Sequence, residues 1–109
     1  MRTLSFNVKN QIIERDPMCD FSGLVAGTEG YLDAKFLFSA DWDGCKKVVG
    51  FYAKDGKEFT PVILSDKNTC HIPDEAVAYH EFSIRVYGKK DGCLITTRPI
   101  TIKQYGGIE

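Results

Sequence analysis

Apolar and polar residues alternate along one segment of this chain after another, and a period of two belongs to half-buried β-strands rather than to helices. Leu4, Phe6 and Val8 share one side of a first strand, and Phe21, Gly23 and Val25 line a second after a turn region at Asp16-Pro17. Leu32, Ala34, Phe36 and Phe38 then alternate against Tyr31, Asp33, Lys35 and Ser39, which is the clearest strand in the chain. It must stop at Asp41-Trp42-Asp43-Gly44, where carboxylates accept from nearby backbone N–H groups and a glycine tolerates positive φ. Val49, Phe51 and Ala53 form the next strand, which runs into Lys54-Asp55-Gly56-Lys57. The Asp-Gly centre predicts a two-residue hairpin of type I′. The strand returns through Val62 and Leu64, with the donor-less Pro61 placing it at an edge, a bulge or a strand start.

Beyond the turn Ser65–Asn68, the pattern predicts a short extended piece over Thr69–Ile72 and a single helical turn over Pro73–Val77 with Pro73 at its first position. Phe82, Ile84 and Val86 alternate again, Gly88–Gly92 turns the chain, and Cys93–Lys103 gives a last extended run interrupted near Arg98-Pro99. The expected fold is all-β: an immunoglobulin-like β-sandwich of about seven or eight short antiparallel strands. Phe36, Phe38, Phe51, Phe82, Ile84 and Val86 are its expected core. Residues 1–104 read as one domain and 105–109, with its paired glycines, as a C-terminal tail or the start of a linker.

Composition narrows the function class. The chain has 109 residues, of which 43% are apolar and 27% charged, and a formal charge of −1, as expected of one globular domain. Fourteen basic against fifteen acidic side chains do not suit a phosphate-neutralising nucleic-acid binder, and the pairs Lys46-Lys47 and Lys89-Lys90 read as solvated turns. No apolar h-region opens the chain and nowhere do about 18 apolar residues run together, so neither a signal peptide nor a membrane span is expected. A soluble cytoplasmic product is the expectation.

Candidate chemistry is sparse. Cys19, Cys45, Cys70 and Cys93 contain no C-x-x-C pair, which disfavours a metal, and without a secretory signal four free thiols are expected. Cys70 and His71 are neighbours, but adjacent strand residues face opposite ways, so Cys70 reads as a small buried hydrophobe and His71 as a surface imidazole. Asp41 and Asp43 are too few oxygens for a calcium loop and suffice for Asx turns. No nucleophile elbow, catalytic triad or phosphate-binding loop occurs, and the chain reads as a non-enzyme without cofactor or metal. Aromatics make up 12% of the residues. Tyr31, Tyr52 and Tyr87 fall on the faces opposite the core, where tyrosine either covers a sheet with its hydroxyl in water or contacts a partner or glycan. Trp42 reads as a lid over one end of the sandwich, the alternative being an exposed contact residue.

Several runs in order, F-L-F-S-A-D-W-D-G-C-K-K-V-V-G-F (36–51), T-P-V-I-L-S-D-K-N-T-C-H-I-P-D-E-A-V (60–77), F-S-I-R-V-Y-G (82–88) and L-I-T-T-R-P-I-T-I (94–102), resemble a β-sandwich module of structural proteins of tailed phages and prophages of Firmicutes. That family carries a D-W-D-G-like turn, an N-x-C-x-I-P segment after a hairpin, and a V-Y-G strand leading to an I-T-T strand. Asp74 stands where it usually has an aromatic. The resemblance implies a tail, baseplate or head-decorating role in a virion, with other virion proteins as partners and no catalytic residues. The alternative reading of the same fold is a small carbohydrate-binding module using Tyr31, Trp42, Tyr52 and Tyr87. Because Thr3–Val8 carries neither charge nor proline, this segment is the expected edge through which copies would pair into a homo-oligomer.

Overall fold

The computed structural model describes residues 1–109. Nine strands and two helical turns follow in order: β1 (Arg2–Lys9), β2 (Ile12–Arg15), β3 (Leu32–Phe38), a 3-10 turn (Ala40–Trp42), β4 (Lys46–Ala53), β5 (Val62–Ile63), β6 (Thr69–His71), α1 (Asp74–Val77), β7 (Glu81–Lys90), β8 (Cys93–Thr96) and β9 (Ile100–Lys103). They build a four-stranded sheet in the order β2-β1-β3-β6 and a five-stranded sheet in which β5-β4-β7 continues to both β8 and β9. Both sheets turn one face inward. Twenty buried side chains, among them Leu4, Phe6 and Phe36 from the first sheet and Val49, Phe51, Phe82 and Ile84 from the second, form a single core between them. The fold is a β-sandwich.

The alternation that predicted the strands also predicts their facing. Leu4, Phe6 and Val8 point inward from β1, and Phe82, Ile84 and Val86 from β7. Phe38 is the exception among the expected core residues. It is only half-buried, because it ends β3 at one end of the sandwich, where its ring meets Trp42 at 5.2 Å and the Lys47 ammonium lies 5.1 Å from its centroid.

Four further expectations change. The strands are not all antiparallel, since β1 and β3 run parallel from Arg2↔Leu32 to Val8↔Phe38. Phe21–Val25 is a loop rather than a strand: Gly23 has φ +70°, and only Val25 makes an isolated bridge, to Tyr105. The second strand is instead Ile12–Arg15, joined to β1 by Asn10-Gln11 with Asn10 at φ 54°. Only Ile13 of that strand is buried, so it left no alternation to read. Gly88 lies within β7 and is buried; the hairpin to β8 turns on Asp91-Gly92 instead.

The β4–β5 hairpin forms where Asp55-Gly56 places it, although with a longer loop. Gly56 N–H donates to Ala53 O at 3.0 Å and Ala53 N–H to Lys57 O at 2.8 Å, and of the central residues only Gly56 has positive φ, at 92°. That is a three-residue connection and not type I′, which needs positive φ at both of its central residues.

The segment Thr3–Val8 is no edge. β1 sits between β2 and β3, and where β2 ends the loop after it takes over: Ser5 N–H donates to Cys19 Sγ at 3.4 Å and Asp16 N–H to Ser5 O at 3.0 Å. Nor do residues 105–108 run free. Tyr105 N–H donates to Leu24 O and His80 N–H to Ile108 O, each at 2.8 Å, while Ile108 N–H donates to Ala78 O at 3.0 Å. No helix is long and apolar enough to cross a membrane.

Candidate functional site

The outer face of the five-stranded sheet carries the most organised side-chain cluster. The pairing of β4 with β7 sets Tyr87 opposite Val48, Arg85 opposite Gly50 and Ser83 opposite Tyr52. Glycine at position 50 leaves the floor clear, and Tyr52 leans across it; a Cβ there would lie 2.6 Å from the Tyr52 hydroxyl. The Tyr52 and Tyr87 hydroxyls are hydrogen-bonded to each other. Partial burial and then that bond to Tyr87 push the Tyr52 phenol above its ordinary range, while the Arg85 charge pulls the other way.

Arg85 is held on this face by an interruption in the neighbouring strand. β7 pairs with β8 over Tyr87–Lys90 and with β9 over Glu81–Ile84, and between the two the chain leaves the sheet at Thr97–Pro99. The Thr97 hydroxyl accepts from Val86 N–H at 3.1 Å in place of a backbone carbonyl, and Thr97 N–H donates to Val86 O at 3.1 Å. Arg85 Nε donates to Thr97 O at 3.1 Å, and its guanidinium carbon lies 5.6 Å from the Tyr87 ring centroid. Arg85, Thr96, Arg98 and Gln11 border an open groove of about 530 Å³ at this point. The only ion pairs in the chain are Lys54–Glu81 and His71–Asp33, so neither arginine has a carboxylate partner.

Of the four aromatic candidates, then, Tyr52 and Tyr87 come together and the other two do not. Tyr31 precedes β3 on the other sheet, is 46% exposed, and lies beside Arg2, Val25 and Thr28. Trp42 has no exposure at all, so it cannot offer a stacking face. It closes one end of the core: its indole N–H donates to Asn10 O at 2.8 Å and its ring lies against Gly88, where a Cβ would come within 2.7 Å. No motif in the sequence singles out Arg85 or Arg98. Arg85 was visible as the outward neighbour of Tyr87, but the approach of Arg98 depends on where β8 breaks off.

The remaining candidates occupy structural positions. Asp41 accepts from the Ser39 hydroxyl, and Lys90 Nζ donates to the carbonyls of Asp41 and Asp43 at 3.3 Å each, which ties the loop to the end of β7. Cys70 and His71 face opposite ways on β6. His71 pairs with Asp33 on the outer face, whereas the Cys70 thiol is pushed up to about 12, first by burial and then by the Asp33 charge. All four cysteines are free thiols. A second cleft, of about 390 Å³, lies between the β4–β5 hairpin and the C-terminal residues, but its Lys54 and Glu81 satisfy each other at 3.7 Å. Compared with known proteins, the chain matches no family model, and no curated protein matches it significantly.

Proposed function

We propose that this chain is a structural module of a phage-type virion, immunoglobulin-like in build, which works through protein–protein contacts with other virion proteins rather than through catalysis. The observation that carries the reading is the ordered set of runs over 36–51, 60–77, 82–88 and 94–102, which resembles modules of tail, baseplate and head-decorating proteins. The residues of those runs have scaffolding work to do. Trp42 plugs the sandwich against Gly88, Asn68 takes φ 58° to turn into β6, and Thr97 bridges the break between β8 and β9. Contact between copies through an edge strand falls to the short outer strands β2, β5, β6, β8 or β9, because β1 is interior.

Particle fractionation tests the proposal. In a strain carrying the gene, particles released after prophage induction should contain this chain in a fixed ratio to the major capsid protein through successive density gradients. A chain that stays in the soluble fraction, with particles free of it, would falsify the virion assignment.

A further inference from the structure

We infer that the outer face of the five-stranded sheet around Tyr52, Tyr87 and Arg85, together with the adjoining groove that Arg85 and Arg98 border against Gln11 and Ile12, is a binding site for a carboxylate-bearing carbohydrate chain, of the uronic-acid class. Three independent features converge on that ligand. The two tyrosines are tied to each other by their hydroxyls, and Tyr52 is seated over Gly50, so the aromatic surface is already ordered before anything binds. Ordering side chains in advance removes part of the entropic cost of association, and aromatic faces receive the C–H side of sugar rings.

The second feature is charge. Arg85 uses one donor on Thr97 O and has no carboxylate within ion-pair distance, and neither does Arg98. A planar guanidinium with free donors matches a carboxylate in two parallel hydrogen bonds, which singles out an anionic ligand rather than a neutral one.

The third is the floor of the groove. Thr97 N–H and Arg98 N–H are already donated to Val86 O and Gln11 O, and Pro99 has no N–H. Over Thr97–Pro99 an extended acidic peptide would find no free backbone N–H to pair with, whereas a sugar chain needs only side-chain donors and stacking faces. The groove is open rather than enclosed, which suits the interior of a polymer better than a buried monomer. This inference does not depend on the virion assignment.

The test titrates the intact protein with a short oligogalacturonate, with the neutral galactose oligomer of equal length, and with poly-L-glutamate, following calorimetric heat and amide chemical shifts. The oligogalacturonate should bind at micromolar to millimolar concentration and move the amides of Tyr52, Arg85, Tyr87 and Arg98. Arg98→Ala, an exposed position whose truncation leaves the core intact, should weaken it about tenfold or more, a loss matching one charge-assisted contact. Tyr52→Ala should weaken it similarly while Tyr52→Phe retains most of the stacking. Absence of heat and shifts at millimolar oligogalacturonate would overturn the inference. So would equal binding of the neutral oligomer, equal binding of poly-L-glutamate at these residues, or affinity untouched by Arg98→Ala.

Discussion

Gly88 shows how much one missing side chain decides. It is buried inside β7 because the Trp42 ring occupies the space where its Cβ would be, within 2.7 Å at two ring carbons, and Cys45 Cβ lies 3.2 Å away. Gly88→Ala must therefore displace an indole that is fully buried and hydrogen-bonded to Asn10 O, and we expect it to cost roughly 1–3 kcal/mol in urea melts. Cys70 makes a second residue-level prediction. Its thiol titrates near 9.0 when unperturbed and at about 12 in the fold, so the folded protein holds a proton that the unfolded chain releases earlier. The associated stability is fully present below about pH 8.5 and drains away as the pH rises toward 12. Melts from pH 8 upward should show a steeper alkaline decline in the parent protein than in Cys70→Ala. At pH 8 the exposed Cys93 should consume a thiol reagent well before Cys70 does.

Strand facing was legible at the level of elements, whereas strand neighbours were not. Leu4, Phe6 and Val8 were recognisable as one inward row, but the same row fits an edge strand and a central one equally well. The uncharged stretch Thr3–Val8 looked like an unprotected edge, yet it is uncharged because β2, β3 and Cys19 cover its backbone. Ser5→Pro therefore probes the fold of the monomer rather than an assembly edge. It deletes an N–H that Cys19 Sγ accepts and places a ring between β1 and the loop beyond it, so it should destabilise the monomer by roughly 1–3 kcal/mol instead of dissolving an assembly. Chemical denaturation followed alongside sedimentation separates the two: the midpoint should fall while the sedimentation coefficient of the native protein stays unchanged.

For the molecule as a whole, the C-terminal residues are a tie between distant parts. Residues 105–108 lie between Leu24–Ala26 and Ala78–His80, and Gly107 packs so closely that a Cβ would sit 2.6 Å from Ala26 Cβ and 2.8 Å from Ala78 O. Paired glycines read as linker because their usual meaning is flexibility; here Gly107 permits close approach and Gly106 takes φ +70° in the turn that leads to it. Removing residues 105–109 should therefore lower stability by about 2 kcal/mol or more, through the loss of backbone hydrogen bonds worth roughly 0.5–1.5 kcal/mol each. Thermal melts of the shortened and parent chains check this, and equal midpoints would show the tail to be dispensable.

Alternation, turn residues and proline act between neighbours a few positions apart, and for that reason the all-β class, the facing of β3, β4 and β7, the D-W-D-G turn, the helical turn after Pro73 and the break at Arg98-Pro99 could all be read from the chain. Tyr52 and Tyr87 could likewise be placed on an outer face. Which strands lie side by side depends on pairings between residues far apart in the chain, and local patterning does not encode them. The parallel pairing of β1 with β3, the burial of Gly88 under Trp42, the separation of Tyr31 from the other tyrosines and the meeting of Arg85 with Arg98 all come from such long-range packing. A residue's face is set by its own strand, but its company is set by the folded chain.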